Sequence, residues 1–333
     1  MIPAPPSGVM PDWLRAQAQA IPERLALAAG DARWTFADLD RRAAKAARRL
    51  ASLGVRDGSR VALLLHNRAP YVMFAHALAR LGAVMVPLNA RLSAAELAWQ
   101  LGDAAPELLV SEDNLTARAG EASRAGEASR AVSALKHVAL DGAGVDDFRR
   151  VPESQVPLRD EIDLAAVQGI VYTSATSGRP KGVLLTFGNH WWSAIGSALR
   201  LGLRDDDRWL APLSLWHVGG LAIVWRSAIY GITMVLHDAF DPGAVNREID
   251  GGGVTIVSVV ATMLERVLAA RGGRFFPPSL RCVLLGGGPA SADLLTVCRT
   301  MNVPVAGTYG LTETASQVAT AAPAGSAGAA VAT

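Results

Sequence analysis

Apolar residues along the chain follow two alternating spacings, and this alternation predicts strands and helices in turn. Short apolar runs have the length of buried strands, and longer segments repeat apolar residues every three or four positions, as amphipathic helices do. In the first half we predict, in chain order, a strand from Trp34, a helix over 38–53, a strand over 61–65, a helix capped by Asn67 and ended by Gly82, a strand over 83–86, a helix from Ser93 and a strand over 107–110. Strand, helix and strand in succession typically form parallel βαβ units, so the pattern favours a doubly wound α/β sheet.

The second half repeats this pattern after a polar connection. Residues 141–163 are rich in Asp, Pro and Gly, and a boundary is expected near their end. Beyond them we predict buried strands over 169–172, 209–213, 234–236, 254–259 and 281–285. The last residues, 321–333, hold seven alanines, two glycines and no charge, so a disordered tail is expected. We therefore predict an α/β fold with two doubly wound, mainly parallel sheet subdomains, residues 1–163 and 164–320, followed by this tail.

A six-residue duplication stands out within the first half. The sequence RAGEAS occupies residues 118–123 and again 124–129. This six-residue duplication does not match the helical or strand repeat architectures. Its small and charged residues offer no apolar face, so we predict a surface insertion without function.

Composition and charge narrow the class of protein. The 333 residues carry a formal net charge of only +2, and the arginines are scattered among acidic residues, which argues against nucleic acid as the main partner. Cys282 and Cys298 lack the spacing of a disulfide framework or a zinc site. The first residues lack the basic and apolar regions of a signal peptide, and no apolar run reaches the ~18 residues of a membrane span. We therefore expect a cytoplasmic protein without a membrane span.

A loop rich in hydroxyl groups follows the strand over 169–172 and carries the strongest chemical signal. Its sequence, TSATSGRPKG over 173–182, combines hydroxyls, backbone N–H groups and Lys181. These groups are the ones that bind a polyphosphate. A Walker A loop would place Ser or Thr directly after the lysine to hold Mg²⁺, whereas Gly182 follows Lys181 here. We therefore predict a phosphate loop of a different kind.

This loop resembles the signature loop of the adenylate-forming superfamily, which usually reads TSGTTGxPKG. Ala175 stands where that family has glycine; if the position needs a positive φ, the methyl group costs about 1 kcal/mol and weakens ATP binding. Two further segments match the family in the same order. GGGP at 286–289 resembles its adenine loop, and TYGLTET at 308–314 resembles its Y-G-x-T-E core.

The resemblance implies a nucleotide site. In it Tyr309 packs on the adenine, Thr312 contacts the phosphates and Glu313 holds Mg²⁺. The implied nucleotide-binding residues are Thr173, Ser174, Ala175, Thr176, Ser177, Gly178, Lys181, Gly286, Gly287, Gly288, Pro289, Thr308, Tyr309, Gly310 and Thr312.

Within the superfamily, the segment from Phe187 to Gly231 is most similar to o-succinylbenzoate-CoA ligases of menaquinone synthesis. The similar stretches are FGNHWWSA at 187–194, HVGGL at 217–221 and IYG at 229–231, whereas SLW at 214–216 replaces the PLF that this subfamily tends to have. The resemblance implies an acyl pocket lined by His217, Val218, Gly219, Gly220, Ser258, Thr262 and Met263. His190, beside two tryptophans, is expected to pack.

The resemblance also implies a reaction and its cofactors. The carboxylate of the acid attacks the α-phosphorus of MgATP, pyrophosphate leaves, and coenzyme A takes the acyl group. ATP, Mg²⁺ and CoA are the implied cofactors and co-substrate, and the implied catalytic residues are His217, Lys181, Thr312 and Glu313. The sequence leaves a homodimer open.

The family continues beyond the last residue of this chain. No TGD follows residue 314 and no lysine follows Lys181. We therefore expect that the family's C-terminal domain is absent and that this chain alone adenylates slowly or not at all. Two alternatives stay open: an acyl-CoA synthetase for another aryl or fatty acid, and a nucleotide-binding remnant without turnover.

Overall fold

A computed structural model describes residues 8–128, 135–140, 147–173 and 180–324. Residues 174–179 of the predicted phosphate loop and 325–333 of the predicted tail lie outside the described residues. Within the described ranges, the strands are β1 (Val9–Pro11), β2 (Leu25–Ala29), β3 (Ala32–Thr35), β4 (Arg60–Leu64), β5 (Val84–Pro87), β6 (Leu108–Ser111), β7 (Lys136–Ala139), β8 (Glu161–Asp163), β9 (Val167–Thr173), β10 (Lys181–Thr186), β11 (Arg208–Ala211), β12 (Thr233–Leu236), β13 (Ile256–Val260), β14 (Cys282–Gly286), β15 (Val305–Tyr309) and β16 (Ala319–Thr320). The helices are α1 (Trp13–Ala20), α2 (Phe36–Ser52), α3 (Ala69–Leu81), α4 (Ala94–Ala104), α5 (Thr116–Ala128), α6 (Phe187–Leu201), α7 (Val218–Tyr230), α8 (Pro242–Gly251), α9 (Ala261–Arg271) and α10 (Ala292–Thr300).

The chain forms two compact units, and neither is continuous in sequence. The first takes the chain up to residue 22, residues 36–188 and residues 215–217; the second takes 23–35, 189–214 and the chain from 218 onward. The sequence analysis placed a single boundary at residue 163. Strand pairing accounts for the difference, because β9 pairs with β5 in the first unit and β2 pairs with β12 in the second.

In the first unit, six of the described strands form one sheet in the order β10-β9-β5-β4-β6-β7. The β10–β9 pair is antiparallel and the other pairs are parallel, which confirms the predicted mainly parallel sheet. The chain runs from β4 to β5 on one side and then crosses to β6 on the other, so the topological switch point lies between β4 and β6. Leu64, Val86 and Leu109 pack with Leu97 of α4 and Ala119 of α5 in one buried cluster.

Helix α3 is not capped by Asn67. Its N-cap residue is Arg68, which makes no side-chain capping hydrogen bond. The side-chain oxygen of Asn67 instead accepts a hydrogen bond at 2.9 Å from the backbone N–H of Leu215. The predicted end of the helix at Gly82 is confirmed, since this residue has a φ of 65°. The cap prediction was wrong because a tertiary contact far along the chain uses the amide.

The six-residue repeat lies in a helix. Helix α5 contains the whole first copy, and Ala119 and Ala122 are fully buried. Because these alanines are three positions apart, they lie on one face of the helix, and their small side chains allow close packing against α4. Arg118 donates to the carbonyl of Ala90 at 2.7 Å. The prediction of an insertion without an apolar face was therefore wrong for the first copy.

Helix α2 has the amphipathic pattern that its sequence predicts. It buries Leu39, Ala43 and Leu50 at helical spacing and exposes Arg41 and Arg42. Most of its stability thus comes from packing one face. Among the residues that the structure describes, no helix combines the length and the apolar character needed to cross a bilayer.

In the second unit, eight of the described strands form a sheet in the order β16-β15-β14-β13-β11-β12-β2-β3. The pairs from β15 to β2 are parallel, and the antiparallel pairs lie at the two ends. Val257, Val283 and Leu285 pack with Leu264 of α9 and Leu294 of α10. Because the strands are parallel, the carboxyl ends of β13, β14 and β15 lie side by side at the edge where α/β proteins bind ligands.

Candidate active site

The two strands that flank the predicted phosphate loop pair with each other in the first unit. Thr173, the last residue of β9, lies opposite Lys181, the first residue of β10. The Thr173 hydroxyl and the Lys181 carbonyl oxygen are 3.5 Å apart, and the Lys181 side chain is exposed. The loop residues outside the described ranges are Ser174, Ala175, Thr176, Ser177, Gly178 and Arg179. The pairing of β9 and β10 fixes both ends of the loop and leaves the ammonium group accessible to an anion.

The glycine loop follows β14 in the second unit. A Cβ atom at Gly286 would lie 2.8 Å from a threonine methyl of β15, and one at Gly287 would lie 2.9 Å from a valine of β13. Gly287 also has a φ of 79°, which favours glycine. These two glycines are therefore required by packing. Gly288, by contrast, has nothing within 4 Å of its Cβ position and is exposed, as is Pro289, so a flat ligand can approach the backbone there.

The end of β15 exposes an aromatic ring beside this loop. Tyr309 is 62% exposed, so its ring face is accessible to a purine. The hydroxyl of the preceding Thr308 is engaged by β16, at 3.2 Å from the Ala319 carbonyl oxygen and 2.9 Å from the Thr320 hydroxyl. The Thr308 side chain thus contacts β16. The Tyr309 ring, by contrast, is accessible to a ligand.

The turn after Tyr309 is too tight for any residue but glycine at position 310. A Cβ atom at Gly310 would lie 1.5 Å from the Ser316 carbonyl oxygen. Thr312–Thr314 form a turn of 3₁₀ helix, in which Thr312 is half-buried and Glu313 is exposed. Within the described ranges no cluster of three or more His, Cys, Asp or Glu side chains could hold a metal. A Mg²⁺ ion at Glu313 would complete its coordination with phosphate oxygens and waters, as is usual for this ion.

His217 belongs to the short segment 215–217 that packs in the first unit. The rings of Trp216 and His217 are 4.0 Å apart at 53°. The imidazole reaches the surface, but its neighbours remove part of its solvation. This desolvation, together with the nearby Arg91 cation, lowers the pKa of His217 below its ordinary value. The imidazole is therefore neutral at pH 7 and can accept a hydrogen bond.

Helix α7 starts directly after His217, and its first turn contains two glycines, Gly219 and Gly220. A Cβ atom at Gly220 would lie 2.3 Å from the Ser214 carbonyl oxygen, whereas one at Gly219 would make ordinary contact with Leu213 at 3.5 Å. Gly220 is therefore required by packing against protein backbone, and that Gly219 and Gly220 line the acyl pocket stays a prediction. Val218, the first residue of α7, is half-buried.

Three further residues were predicted to line the acyl pocket. Ser258 is buried in β13 and accepts a hydrogen bond at 2.8 Å from the indole N–H of Trp209. Met263 packs against the apolar core of the second unit. Both side chains thus have partners within the fold, and that they also line the acyl pocket stays a prediction. Thr262 is exposed at the start of α9 and remains a candidate.

Arg226, which was not among the predicted site residues, is buried in α7, and none of the described Asp or Glu side chains forms an ion pair with it. It is 2% exposed, and burial lowers its pKa. One nitrogen donates to the Ser193 hydroxyl at 3.0 Å, and the guanidinium lies 5.6 Å from the Trp209 ring centre. Its Nε has no hydrogen-bond partner in the described part of the chain. An uncompensated buried charge costs several kcal/mol, so a bound anion is the natural compensation. In the sequence, the sign of this buried cation is a single charged residue within the apolar run LAIVWRSAIY at 221–230.

Ser193 links this buried cation to the loop that carries Glu313. The Ser193 hydroxyl donates to the carbonyl oxygen of Ala315 at 2.8 Å, and Ala315 has a φ of 52°. Arg226 therefore lies two hydrogen bonds away from the end of the 312–314 turn. This connection joins α6, α7 and the nucleotide loops within the second unit.

Two titratable groups near Arg226, His190 and Tyr230, are neutral at pH 7. His190 is buried, as predicted, with its ring 5.8 Å from Trp225. Burial, and then the Arg226 charge, lower the pKa of His190 to about 3. The Tyr230 hydroxyl donates to the Ala194 carbonyl, and burial raises the pKa of this tyrosine. Neither group offsets the guanidinium charge.

The second unit brings Gly286–Gly288 and residues 308–314 together at the carboxyl ends of adjacent parallel strands. A glycine loop, an exposed tyrosine and a carboxylate at such an edge define an α/β nucleotide-binding protein. The chain belongs to the AMP-binding enzyme family, whose model matches residues 14–332. This match confirms the resemblance to the adenylate-forming superfamily. That Lys181 binds the same nucleotide as Tyr309 and Glu313, and that His217 contacts the acid, stays a prediction.

Curated relatives are similar over nearly the whole of this chain. The 2-succinylbenzoate–CoA ligase of Geobacillus kaustophilus is 46% identical over 318 residues, which are 94% of this chain and 61% of the relative. The enzyme of the same name from Bacillus cytotoxicus is 39% identical over 311 residues, which cover 93% of this chain and 60% of the relative. The chain thus spans about three fifths of the length of these relatives.

Solved structures confirm the fold class. The o-succinylbenzoate CoA synthetase of Bacillus subtilis in complex with its acyl-adenylate intermediate matches with a TM-score of 0.86 at 38% identity, over 95% of this chain and 62% of that one. The same enzyme with ATP and magnesium also gives 0.86 at 38% identity, over 95% and 63%. The N-terminal domain of FACL13 from Mycobacterium tuberculosis gives 0.81 at 28% identity, over 93% and 78%.

Proposed function

We propose that this chain binds ATP and an aromatic dicarboxylic acid for the reaction of an o-succinylbenzoate–CoA ligase. In that reaction 2-succinylbenzoate, ATP and CoA give 2-succinylbenzoyl-CoA, AMP and pyrophosphate. A carboxylate oxygen attacks the α-phosphorus, pyrophosphate leaves, and the CoA thiol then displaces AMP from the acyl carbon. The names of the relatives support this choice of acid.

The nucleotide part of the proposal is supported by the carboxyl edge of the second sheet. Tyr309 would stack on the adenine while Gly288 admits the base to the backbone. Glu313 would hold Mg²⁺, whose chemistry is to neutralise the phosphate charge that develops as pyrophosphate leaves. Lys181 and the hydroxyls of the 173–178 loop would bind that pyrophosphate. Thr312 would contact the phosphates from the half-buried turn.

The uncompensated guanidinium of Arg226 is the observation that carries the choice of a dicarboxylic acid. A dicarboxylic acid that is adenylated at one carboxylate keeps the other as an anion. That anion would compensate the buried charge, whereas a fatty acid activated at its single carboxylate would leave Arg226 unpaired. A hydrogen bond to a charged group is worth about 1.5–3 kcal/mol, or roughly a 10- to 100-fold change in affinity.

His217 would contact the reacting carboxylate. Its lowered pKa keeps the ring uncharged near pH 7. A neutral imidazole with one N–H can donate to a carboxylate oxygen without adding the strong attraction that would weaken it as a nucleophile. The role of His217 is thus positioning, and catalysis rests mainly on alignment and charge neutralisation.

Calorimetry with two non-hydrolysable acyl-adenylate analogues tests this proposal without requiring turnover. One analogue carries the second carboxylate of 2-succinylbenzoate, and the matched analogue lacks it. We expect the carboxylate-bearing analogue to bind about 10- to 100-fold more tightly, and Arg226→Met to remove that difference. Equal affinities in the unsubstituted chain would contradict the assignment of the acid, and binding of neither would contradict the whole proposal.

The proposal extends to location and assembly. A cytoplasmic location agrees with two cysteines that lack disulfide spacing and with the ATP and CoA that the reaction consumes.

A homodimer is tested by sedimentation velocity at several concentrations. The alternative acids are tested by ATP–pyrophosphate exchange with a panel of aryl and fatty acids. A nucleotide-binding remnant would bind AMP and would not bind the carboxylate-bearing analogue more tightly than the matched one.

A further inference from the structure

Asn67 lies at the topological switch point of the first sheet. It is not the N-cap residue of α3, which is Arg68. It follows β4, is 5% exposed, and accepts a hydrogen bond at 2.9 Å from the backbone N–H of Leu215. The two residues are 148 positions apart, and Leu215 is fully buried. The crevice outside the carboxyl ends of β4 and β6 therefore receives the backbone of residues 215–217 in the first unit.

Hydrogen bonds join the chain after β4, where Asn67 lies, to the chain after β6. Glu112, which follows β6, is 2% exposed. One of its carboxylate oxygens lies 2.6 Å from Nδ1 of His66, and the other accepts the backbone N–H of His66 at 3.2 Å. The carboxylate thus joins the end of β6 to the residue next to Asn67. A side chain on this support keeps its position better than one on a free loop.

The Asn67–Leu215 hydrogen bond acts on backbone two residues before His217. A buried N–H that loses its partner costs about 1–3 kcal/mol, so the segment would shift if the acceptor were removed. A shift would change the surroundings of the His217 ring, which are now set by Trp216 at 4.0 Å and by Arg91. The environment of His217 therefore depends on Asn67.

We infer that Asn67 is a positioning residue of the acyl site, which holds residues 215–217 in the switch-point crevice so that His217 meets the acid. The assignment of His217 to the acyl site rests on the proposed function, whereas the Asn67–Leu215 contact is independent of it. The Asn67 side-chain oxygen thereby supplies a hydrogen-bond acceptor for the buried backbone N–H of Leu215. The proposal separates into a structural step and a binding step, and each has its own measurement.

The structural step is tested by NMR titration of His217 in the full chain, with the resonance assigned through His217→Gln. Asn67→Leu removes the acceptor and keeps the number and branching of the side chain's heavy atoms, whereas Asn67→Thr keeps an uncharged acceptor oxygen. We expect the Leu variant to move the titration midpoint of His217 upward towards its ordinary value and the Thr variant to stay nearer to the unsubstituted protein. No movement in the Leu variant, or equal movement in both, would overturn the positioning role.

The binding step is measured by calorimetry with the carboxylate-bearing acyl-adenylate analogue and with AMP. Asn67→Leu should weaken the analogue about tenfold and leave AMP unchanged. Asn246→Ala is the matched control, because Asn246 is also buried and donates to the Val267 carbonyl at 3.0 Å, in the second unit and remote in sequence from residues 215–217. An equal loss in the control would mean that lower stability alone explains the effect, and would overturn the inference.

The two proposals fail in different ways. If His217 moves in the titration while analogue affinity stays constant, the positioning of residues 215–217 is supported and the acyl role of His217 is lost. If Asn67→Leu does not fold, hydrogen exchange on the unsubstituted chain decides. The Leu215 amide should exchange at least about 100-fold more slowly than in an unstructured peptide, and exchange at the unstructured rate would overturn the inference.

Discussion

Two buried arginines of the second unit differ in their partners. Arg271 donates to the Asn246 side-chain oxygen at 2.9 Å and to Asp250 at 2.6 Å, so its charge is compensated. Arg226 has a serine hydroxyl and an aromatic face. At the scale of single residues, burial of an arginine therefore has two different energetic effects. The paired Arg271 stabilises the fold, whereas the charge of Arg226 is unfavourable until an anionic ligand binds beside it.

We predict that Arg226→Met leaves the free energy of unfolding unchanged or raises it, because methionine removes an uncompensated charge and retains most of the volume. Arg271→Met should lower it by about 2–3 kcal/mol, since Asp250 and Asn246 lose their donor. Urea denaturation of both variants measures the difference. A larger loss for Arg226→Met than for Arg271→Met would contradict the account of its environment.

Gly310 offers a second test at this scale. Its alanine variant would place Cβ 1.5 Å from the Ser316 carbonyl oxygen, so the turn must open. We expect Gly310→Ala to cost about 3 kcal/mol or more and to abolish binding of the adenylate analogue. Gly307→Ala serves as the control, because its Cβ position has nothing within 4 Å. Thermal unfolding and calorimetry measure both effects; similar results for the two variants would rule out the tight turn.

At the scale of elements, Asp207 ties together the amino ends of three central strands. It precedes β11, and it accepts hydrogen bonds from Arg281 before β14 and from Thr255 before β13, at 2.7 Å each. Burial alone would raise the pKa of this carboxyl group, but the hydrogen bonds from Arg281 and Thr255 outweigh it and lower the pKa below its usual value. The amino edge of the sheet is thus stabilised by an ionised carboxylate, while the opposite edge carries the ligand loops.

This carboxylate predicts the direction of acid unfolding. Because the folded pKa of Asp207 lies below its unfolded value of about 3.9, its contribution is complete above that value and is lost as the pH falls through the folded pKa. We expect stability to fall below about pH 4, and Asp207→Asn to be less stable at pH 7 with a shallower loss in acid. Denaturation at pH 7, 5, 4 and 3 tests this; the exposed Asp31, as Asp31→Asn, should leave the profile unchanged.

At the scale of the whole molecule, ligand binding adds to the stability of the folded chain. A ligand that binds the folded state and not the unfolded one stabilises it by about 2.7 kcal/mol at 100 times its Kd. We therefore expect the carboxylate-bearing analogue to raise the thermal midpoint by several degrees, and Arg226→Met to abolish most of the rise. AMP at the same multiple of its own Kd is the control, and its effect should survive the substitution.

Much of the fold could be predicted from local pattern. The helix start at Ser93, the helix end at Gly82 and the helical spacing of α2 are encoded within a few residues, and each was found where expected. The first copy of the RAGEAS repeat was misjudged because alanine is small enough to lie on either a buried or an exposed surface. Only packing against α4 decided that Ala119 and Ala122 are buried.

Some residues of the candidate site could also be recognised from the sequence, whereas the roles of others depend on the fold. The motifs around Tyr309 and Glu313 could be recognised from sequence because backbone constraints, such as the lack of space beside Gly310, tie residue types to positions. The use of Ser258 by Trp209 and of Asn67 by Leu215 could not, since each depends on a partner far along the chain. A hydroxyl or an amide has the same sequence signature whether it binds a ligand or another part of the protein.

The sequence by itself determined the α/β class, the order of the elements and the family, because hydrophobic spacing and motif order are local properties of the chain. Tertiary structure alone decided which segments join each sheet, as with β2 beside β12, and which polar groups lack a partner. The isolation of the Arg226 charge is the clearest example. Electrostatic compensation depends on everything within a few ångströms, and that neighbourhood exists only once the chain has folded.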